Sequence, residues 1–263
     1  MFGIKELKDT IKITQETVEC PVIDCNTIVE RQRNNFKREE RFKCQKHSIY
    51  ISPSTFEYQN ELDNLLWKDK DDLILWNMIK TVKRETRRMS RDRSEDAVTL
   101  NVFRFLERNN MINGLLAKCL NIISSDCETI YWSYSQSQKH KWNMLAKARN
   151  EFETNPSNGS EPDLIIVSEN NLIIIEAKFG SPGKDPIKLE KANKVERKYM
   201  NGGEGWWNEV FYSNFWKVVF QNEQYELSRY WLLGTWIAEI LGLNFHLVSL
   251  VRSEQIKGDP AFG

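Results

Sequence analysis

No apolar run in the sequence approaches the ~20 residues of a membrane-spanning helix, no secretory signal opens it, and no internal repeat runs through it. These absences exclude a membrane-helix protein and a solenoid. They also speak against disulfides, which form in oxidising compartments, so a cytoplasmic protein is the expectation. Net charge is missing as well, with 37 Lys and Arg balancing 37 Asp and Glu. Binding to a polyanion therefore cannot be argued from overall charge and must rest on local clusters. What is present, 263 residues of which 40% are hydrophobic, suffices for one main core and a small appendage.

The most informative stretch is Glu161-Pro162-Asp163, an apolar run, then Glu176-Ala177-Lys178. Leu164 to Val167 and Leu172 to Ile175 are short β-branched runs joined by Ser168-Glu169-Asn170-Asn171, which reads as a hairpin between two buried strands. A two-residue turn at Glu169-Asn170 sets Asp163 opposite Glu176; a turn at Asn170-Asn171 sets it opposite Lys178. Both registers bring the same three side chains to one strand end, because Glu176 and Lys178 share a face while Ile175 and Ala177 point away. Two carboxylates suit a hard divalent cation such as Mg²⁺ or Mn²⁺, which keeps several waters and accepts phosphate oxygens as further ligands. A lysine beside that charge would orient or help deprotonate an attacking water. The competing reading is a half-exposed hairpin with a salt bridge.

These residues resemble the PD-(D/E)xK nuclease superfamily over about residues 90 to 252. The resemblance implies an α/β (α+β) fold with a restriction-endonuclease-like core of a helix, three antiparallel strands, a second helix and a fourth strand. It implies catalytic roles for Asp163, Glu176 and Lys178, and matches Glu95, after the N-cap candidate Ser94, to an acidic first-helix residue that supplies a further metal ligand. Asp96 is a weaker candidate, since acids stabilise helix N-termini in any case. Thr129 to Tyr134 alternates like the first strand of the sheet. Gln221-Asn222-Glu223-Gln224-Tyr225 matches the QxxxY element of RecB-like members; on one helix Gln221 and Tyr225 would stand one turn apart, both within reach of the lysine. Phe245 to Val251 reads as the final strand. The segment 179–220, with a Gly/Pro-rich loop, a charged stretch and an aromatic stripe from Trp206 to Trp216, is expected to be an insertion, its stripe mostly core.

The first third carries a separate signal. Cys20, Cys25, Cys44 and His47 form C-x4-C, an 18-residue spacer and C-x2-H, so three of five cysteines cluster near one of only three histidines. Four soft ligands in two knuckles resemble a zinc ribbon, with Zn²⁺ structural because four protein ligands leave no open position for water. Around it Arg31, Arg33, Lys37, Arg38, Arg41, Lys43 and Lys46 face few acids. Farther on, Lys80, Lys83, Arg84, Arg87, Arg88 and Arg91 recur at three- and four-residue spacing, which predicts a helix over about 72–92 with one positive face for phosphate contacts.

The expected organisation is a zinc-ribbon-like module over 1–60 and a nuclease domain over 61–263. The expected activity is metal-dependent DNA cleavage, on double-stranded DNA before other forms, with a homodimer left open and no membrane partner. The resemblance further implies a restriction or phage-defence role. The alternatives are a nucleic-acid-binding scaffold that keeps the fold without turnover, and a protein docking surface.

Overall fold

A computed structural model describes residues 6–33, 35–159, 161–179 and 185–251, without the side chains of Arg87 and Asn158. The chain is mixed α+β in two compact units. The first runs up to Asp72 and includes Glu85–Asn101; the second joins Leu73–Arg84 to the chain from Val102 onward. No helix among the described residues is long and apolar enough to cross a membrane.

Brief apolar runs between turn residues make the first unit a set of short strands. β1 (Thr17–Glu19) and β2 (Ile28–Glu30) pair antiparallel with Val18 opposite Val29, and β3 (Lys43–Cys44), β4 (Ile49–Ile51) and β5 (Phe56–Tyr58) form a three-stranded antiparallel sheet. Val18, Val29, Ile49, Ile51, Phe56 and Tyr58 pack around three buried cysteines. The unit extends past residue 60 because a later segment returns to it. Arg91 pairs with the buried Glu57 at 3.0 Å, and the Asn64 amide donates to the carbonyls of Met89 and Arg91 at 2.8 and 2.7 Å.

Those tertiary bonds also correct the expected basic helix. α1 (Lys70–Val82) stops at Val82, and after four residues a 3₁₀ turn occupies Arg87–Ser90. Lys80, Lys83, Arg84, Arg87, Arg88 and Arg91 therefore share no continuous helical face. Like charges at helical spacing repel, whereas Asn64 and Glu57 offer this segment specific partners in a non-helical path. α2 (Glu95–Arg108) starts where the N-cap pattern predicts, with Ser94 Oγ accepting from Ala97 N at 3.0 Å.

In the second unit α3 (Ile112–Leu120) leads to β6 (Cys127–Tyr131), β7 (Tyr134–Ser135) and β8 (His140–Lys141), then α4 (Asn143–Phe152). The strand expected over Thr129–Tyr134 is broken, because Trp132 and Ser133 adopt φ of 43° and 82° and turn the chain back. β9 (Leu164–Ser168) and β10 (Asn171–Lys178) form the hairpin, with Val167 opposite Leu172 and Leu164 opposite Ile175. Glu169-Asn170 is thus the turn, and of the two registers the one that sets Asp163 at Glu176 is realised.

Residues 180–184, most of the Gly/Pro-rich loop, lie outside the described residues. Beyond them come α5 (Leu189–Gly205, interrupted at Gly202–Glu204), α6 (Trp207–Val210), a π-helical turn (Trp216–Gln221), α7 (Tyr225–Leu241) and β11 (Asn244–Val251). The six-stranded sheet runs β11-β10-β9-β6-β7-β8, with β10 antiparallel to β9 and parallel to β11. A parallel partner requires a long crossover, and the helices α5 to α7 supply it. The aromatic stripe is core: Trp207 and Phe215 are buried, and Trp206, Phe211 and Trp216 pack against them. α7 lies close on β11 because Gly234 has no side chain; a Cβ there would collide with the Phe245 ring.

Candidate functional site

In the second unit the hairpin register brings the three expected residues together. Asp163, half-buried just ahead of β9, accepts from the Trp132 indole N–H at Oδ1 (3.0 Å) and from Ala177 N at Oδ2 (2.9 Å). The turn that carries Trp132 is fixed on both sides. Trp132 N donates to Asp163 O at 3.3 Å, Trp142 N donates to Ser133 O at 2.8 Å, and the buried Arg149 donates to Ser133 Oγ at 3.0 Å. One hydrogen bond to each carboxylate oxygen holds Asp163 in place.

Glu176 is 4% exposed. Its Oε1 meets Lys178 Nζ at 2.9 Å, and its Oε2 is buried without a hydrogen-bond partner among the described residues. Burial, then the neighbouring charges of Asp163 and Glu226, pushes its pKa up to about 8 against the pull of Lys178. A buried carboxylate oxygen left unsatisfied is costly, and a cation is the ligand that would answer it. Lys178 has a second partner at 2.6 Å, Glu226 Oε2 on the first turn of α7. Burial alone would lower the lysine, but the Glu176 charge and the Glu226 contact outweigh it and keep the ammonium protonated.

Glu226 and Trp132 were not legible as site residues. Glu226 directly follows the QxxxY element, and that element does not form one helical face. Gln221 ends the π-helical turn, Glu223 has a left-handed φ of 56°, and α7 begins only at Tyr225. Gln221 is exposed, while Tyr225 is buried with its ring stacked on Tyr199. Of the basic run, Lys83 reaches this neighbourhood with Nζ 4.2 Å from the Trp132 ring centroid, and Arg84 N donates to Glu161 Oε2 at 3.2 Å. Lys80 lies over Trp76 at 5.9 Å. Arg88, Arg91 and Glu95 belong to the first unit, as does the backbone of Arg87.

The first unit holds the other site. Cys20 follows β1, Cys25 sits in the turn before β2, Cys44 ends β3 and His47 lies in the turn to β4, so two hairpins converge four ligand atoms within 4.8 Å of one another. Cys25 and Cys44 Sγ are 3.8 Å apart, and His47 Nδ1 lies 3.5 Å from Cys20 Sγ and 3.6 Å from Cys44 Sγ. Tetrahedral zinc with bonds of about 2.3 Å to sulfur and about 2.0 Å to nitrogen implies about 3.8 Å between sulfurs and about 3.5 Å from sulfur to nitrogen. The cluster can therefore hold a metal ion such as zinc, with Nδ1 the imidazole donor. Burial, with Lys46 nearby, lowers the His47 pKa and favours the neutral, ligating ring.

Compared with family models, with curated proteins and with solved structures, the chain matches none.

Proposed function

We propose that the protein is a metal-dependent DNA endonuclease of the PD-(D/E)xK type with a structural zinc site in its first unit. The observation that carries this reading is the buried Oε2 of Glu176, without a hydrogen-bond partner among the described residues, beside Asp163 and Lys178. With α3, β7, β8, α4, α5 and α6 set aside as additions, the remaining order α2, β6, β9, β10, α7, β11 is the one that the resemblance implies, and it supports the reading.

Asp163 and Glu176 would hold Mg²⁺ or Mn²⁺, with Asp163 oriented by Trp132 and the Ala177 amide. Bound there, the cation supplies Lewis-acid polarisation of the phosphate and charge stabilisation for the leaving oxygen. Lys178, kept protonated between Glu176 and Glu226, serves as a donor that orients the attacking water, in preference to a base that removes its proton. Gln221 as a phosphate or lysine partner remains part of the proposal, carried by the resemblance. So do double-stranded DNA as substrate, a second copy of the chain for cutting both strands, and a defence role.

The test is incubation of the purified protein with supercoiled, linear and single-stranded DNA, with Mg²⁺, with Mn²⁺ and with neither. Cutting that needs the cation and disappears in Asp163→Ala is the expected result. DNA bound but never cut would replace the nuclease by a scaffold, and cutting retained in Asp163→Ala would displace the site.

A further inference from the structure

Four of the seven cations around the cysteine cluster are less free than their sequence suggests. Arg38 pairs with Glu57 at 2.9 Å, Arg41 with Glu39 and Glu30 at 2.8 and 3.3 Å, Lys43 with Glu40 at 3.3 Å and Lys37 with Glu39 at 3.6 Å. Arg31 and Arg33 differ. Their described side-chain partners are main-chain carbonyls, Thr14 O at 2.8 Å and Gln15 O at 2.6 Å, and no carboxylate stands within ion-pair distance of either among the described residues.

Both arginines line a cleft of about 750 Å³ with Phe36 and the Ser52–Thr55 turn, and no acidic side chain among the described residues contributes to its wall. That size lies within the ~300–1,000 Å³ usual for ligand pockets. The cleft is braced from within. Buried Gln32 donates to Ile51 O at 3.0 Å and accepts from Lys37 N at 2.6 Å, which ties the arginine segment to the strand before the turn. Ser52 N donates to Thr55 O at 2.8 Å and closes the opposite wall. Each guanidinium, anchored through one nitrogen, keeps further N–H donors for a ligand.

We propose that this cleft binds an unpaired nucleic-acid strand, with Arg31 and Arg33 on consecutive phosphates and the half-buried Phe36 ring stacked on a base. The assignment deepens the nucleic-acid part of the function proposed above. Two fixed positive charges without carboxylates select a polyanion, and an aromatic face beside them selects a base whose own stacking partner is absent. The Ser54 hydroxyl on the far wall adds a donor for a phosphate oxygen, whereas Ser52 and Thr55 already donate theirs to Thr55 O and to Asp92.

The experiment is fluorescence anisotropy of the full chain with a labelled oligothymidylate across a salt series, with zinc retained and no magnesium added, so that binding is read without cleavage. Arg31→Gln with Arg33→Gln should weaken binding at least about tenfold and reduce the salt slope by about 1.4, at about 0.7 per phosphate contact on a single strand. Phe36→Ala should weaken the single strand and leave a blunt duplex unchanged. Lys43→Gln, which removes a cation already paired, should change neither affinity nor slope. An unaltered slope in the double variant, an equal loss with Lys43→Gln, or an equal loss on blunt duplex would overturn the proposal. Zinc content checks folding, and Arg33→Gln alone, at an exposed position, replaces the double variant if that unfolds. A chain that binds the strand through these residues but cuts no DNA would refute the nuclease and leave the cleft standing.

Discussion

Trp132 donates its indole N–H to Asp163 Oδ1 at 3.0 Å from a turn in which its own φ is 43°. A left-handed conformation at a bulky residue costs roughly 1–2 kcal/mol, and here it swings the ring off the strand and onto the acid. Trp132→Phe keeps an aromatic ring and removes the donor. Cleavage should fall about tenfold, the equivalent of ~1.4 kcal/mol, with DNA affinity unchanged. Turnover equal to wild type would make the contact structural only.

Glu226 is expected to act on Lys178 by position. Glu226→Gln removes one of the two charges that hold the ammonium, so turnover should drop about tenfold at constant KM. The pH–rate profile should move toward lower pH, since losing that negative charge lowers the pKa of both Lys178 and Glu176. A profile that does not move would reduce Glu226 to a surface ion pair.

The Glu176 shift fixes the sign of a stability effect. Its pKa is about 8 in the folded chain against an ordinary 4.5, so between those values the folded state holds a proton that the unfolded chain has released. Its stabilising contribution is complete below about pH 4.5, declines as pH rises and is gone above about pH 8. Glu176→Gln should flatten that decline, read as the difference in urea midpoint between pH 5 and pH 8.5. An unaltered slope would place the titration elsewhere.

Cys44→Ser should release zinc, because the remaining ligands no longer close a tetrahedron, and should unfold the first unit, whose apolar core is thin. Elemental analysis should find one zinc per wild-type chain and none in the variant. Hydrogen exchange should rise over β1 to β5 while β9 and β10 stay protected. Wild-type protein that carries no zinc would remove the metal from the account.

Legibility followed the reach of each constraint. The hairpin was readable because alternation and a two-residue turn fix Asp163 against Glu176 within a stretch of adjacent residues. The cysteine cluster was readable because ligands must sit in turns at close spacing. Alternation alone makes Trp132 a strand residue, since alternating aromatics look the same before and through a tight turn. Spacing alone predicts a helix for the arginine run from Arg84, whereas its actual path depends on Asn64 and Glu57, which no local pattern reports. Glu226 meets Lys178 through the packing of α7 on the sheet, a long-range event that leaves no mark near either residue.

The parallel pairing of β10 with β11 carries a consequence for assembly. The hairpin can close from neighbouring residues, but Asn171 pairs with Asn244 across the whole segment that carries α5 to α7. Contacts so far apart along a chain form late. Until they do, Leu172 and the β-branched Ile173, Ile174 and Ile175 lie along an open, uncharged strand edge, the kind of segment that recruits a second chain. The strand that supplies Glu176 and Lys178 is therefore also the segment through which a stalled folding intermediate would aggregate, and α7 with β11 forms the cover that ends the hazard.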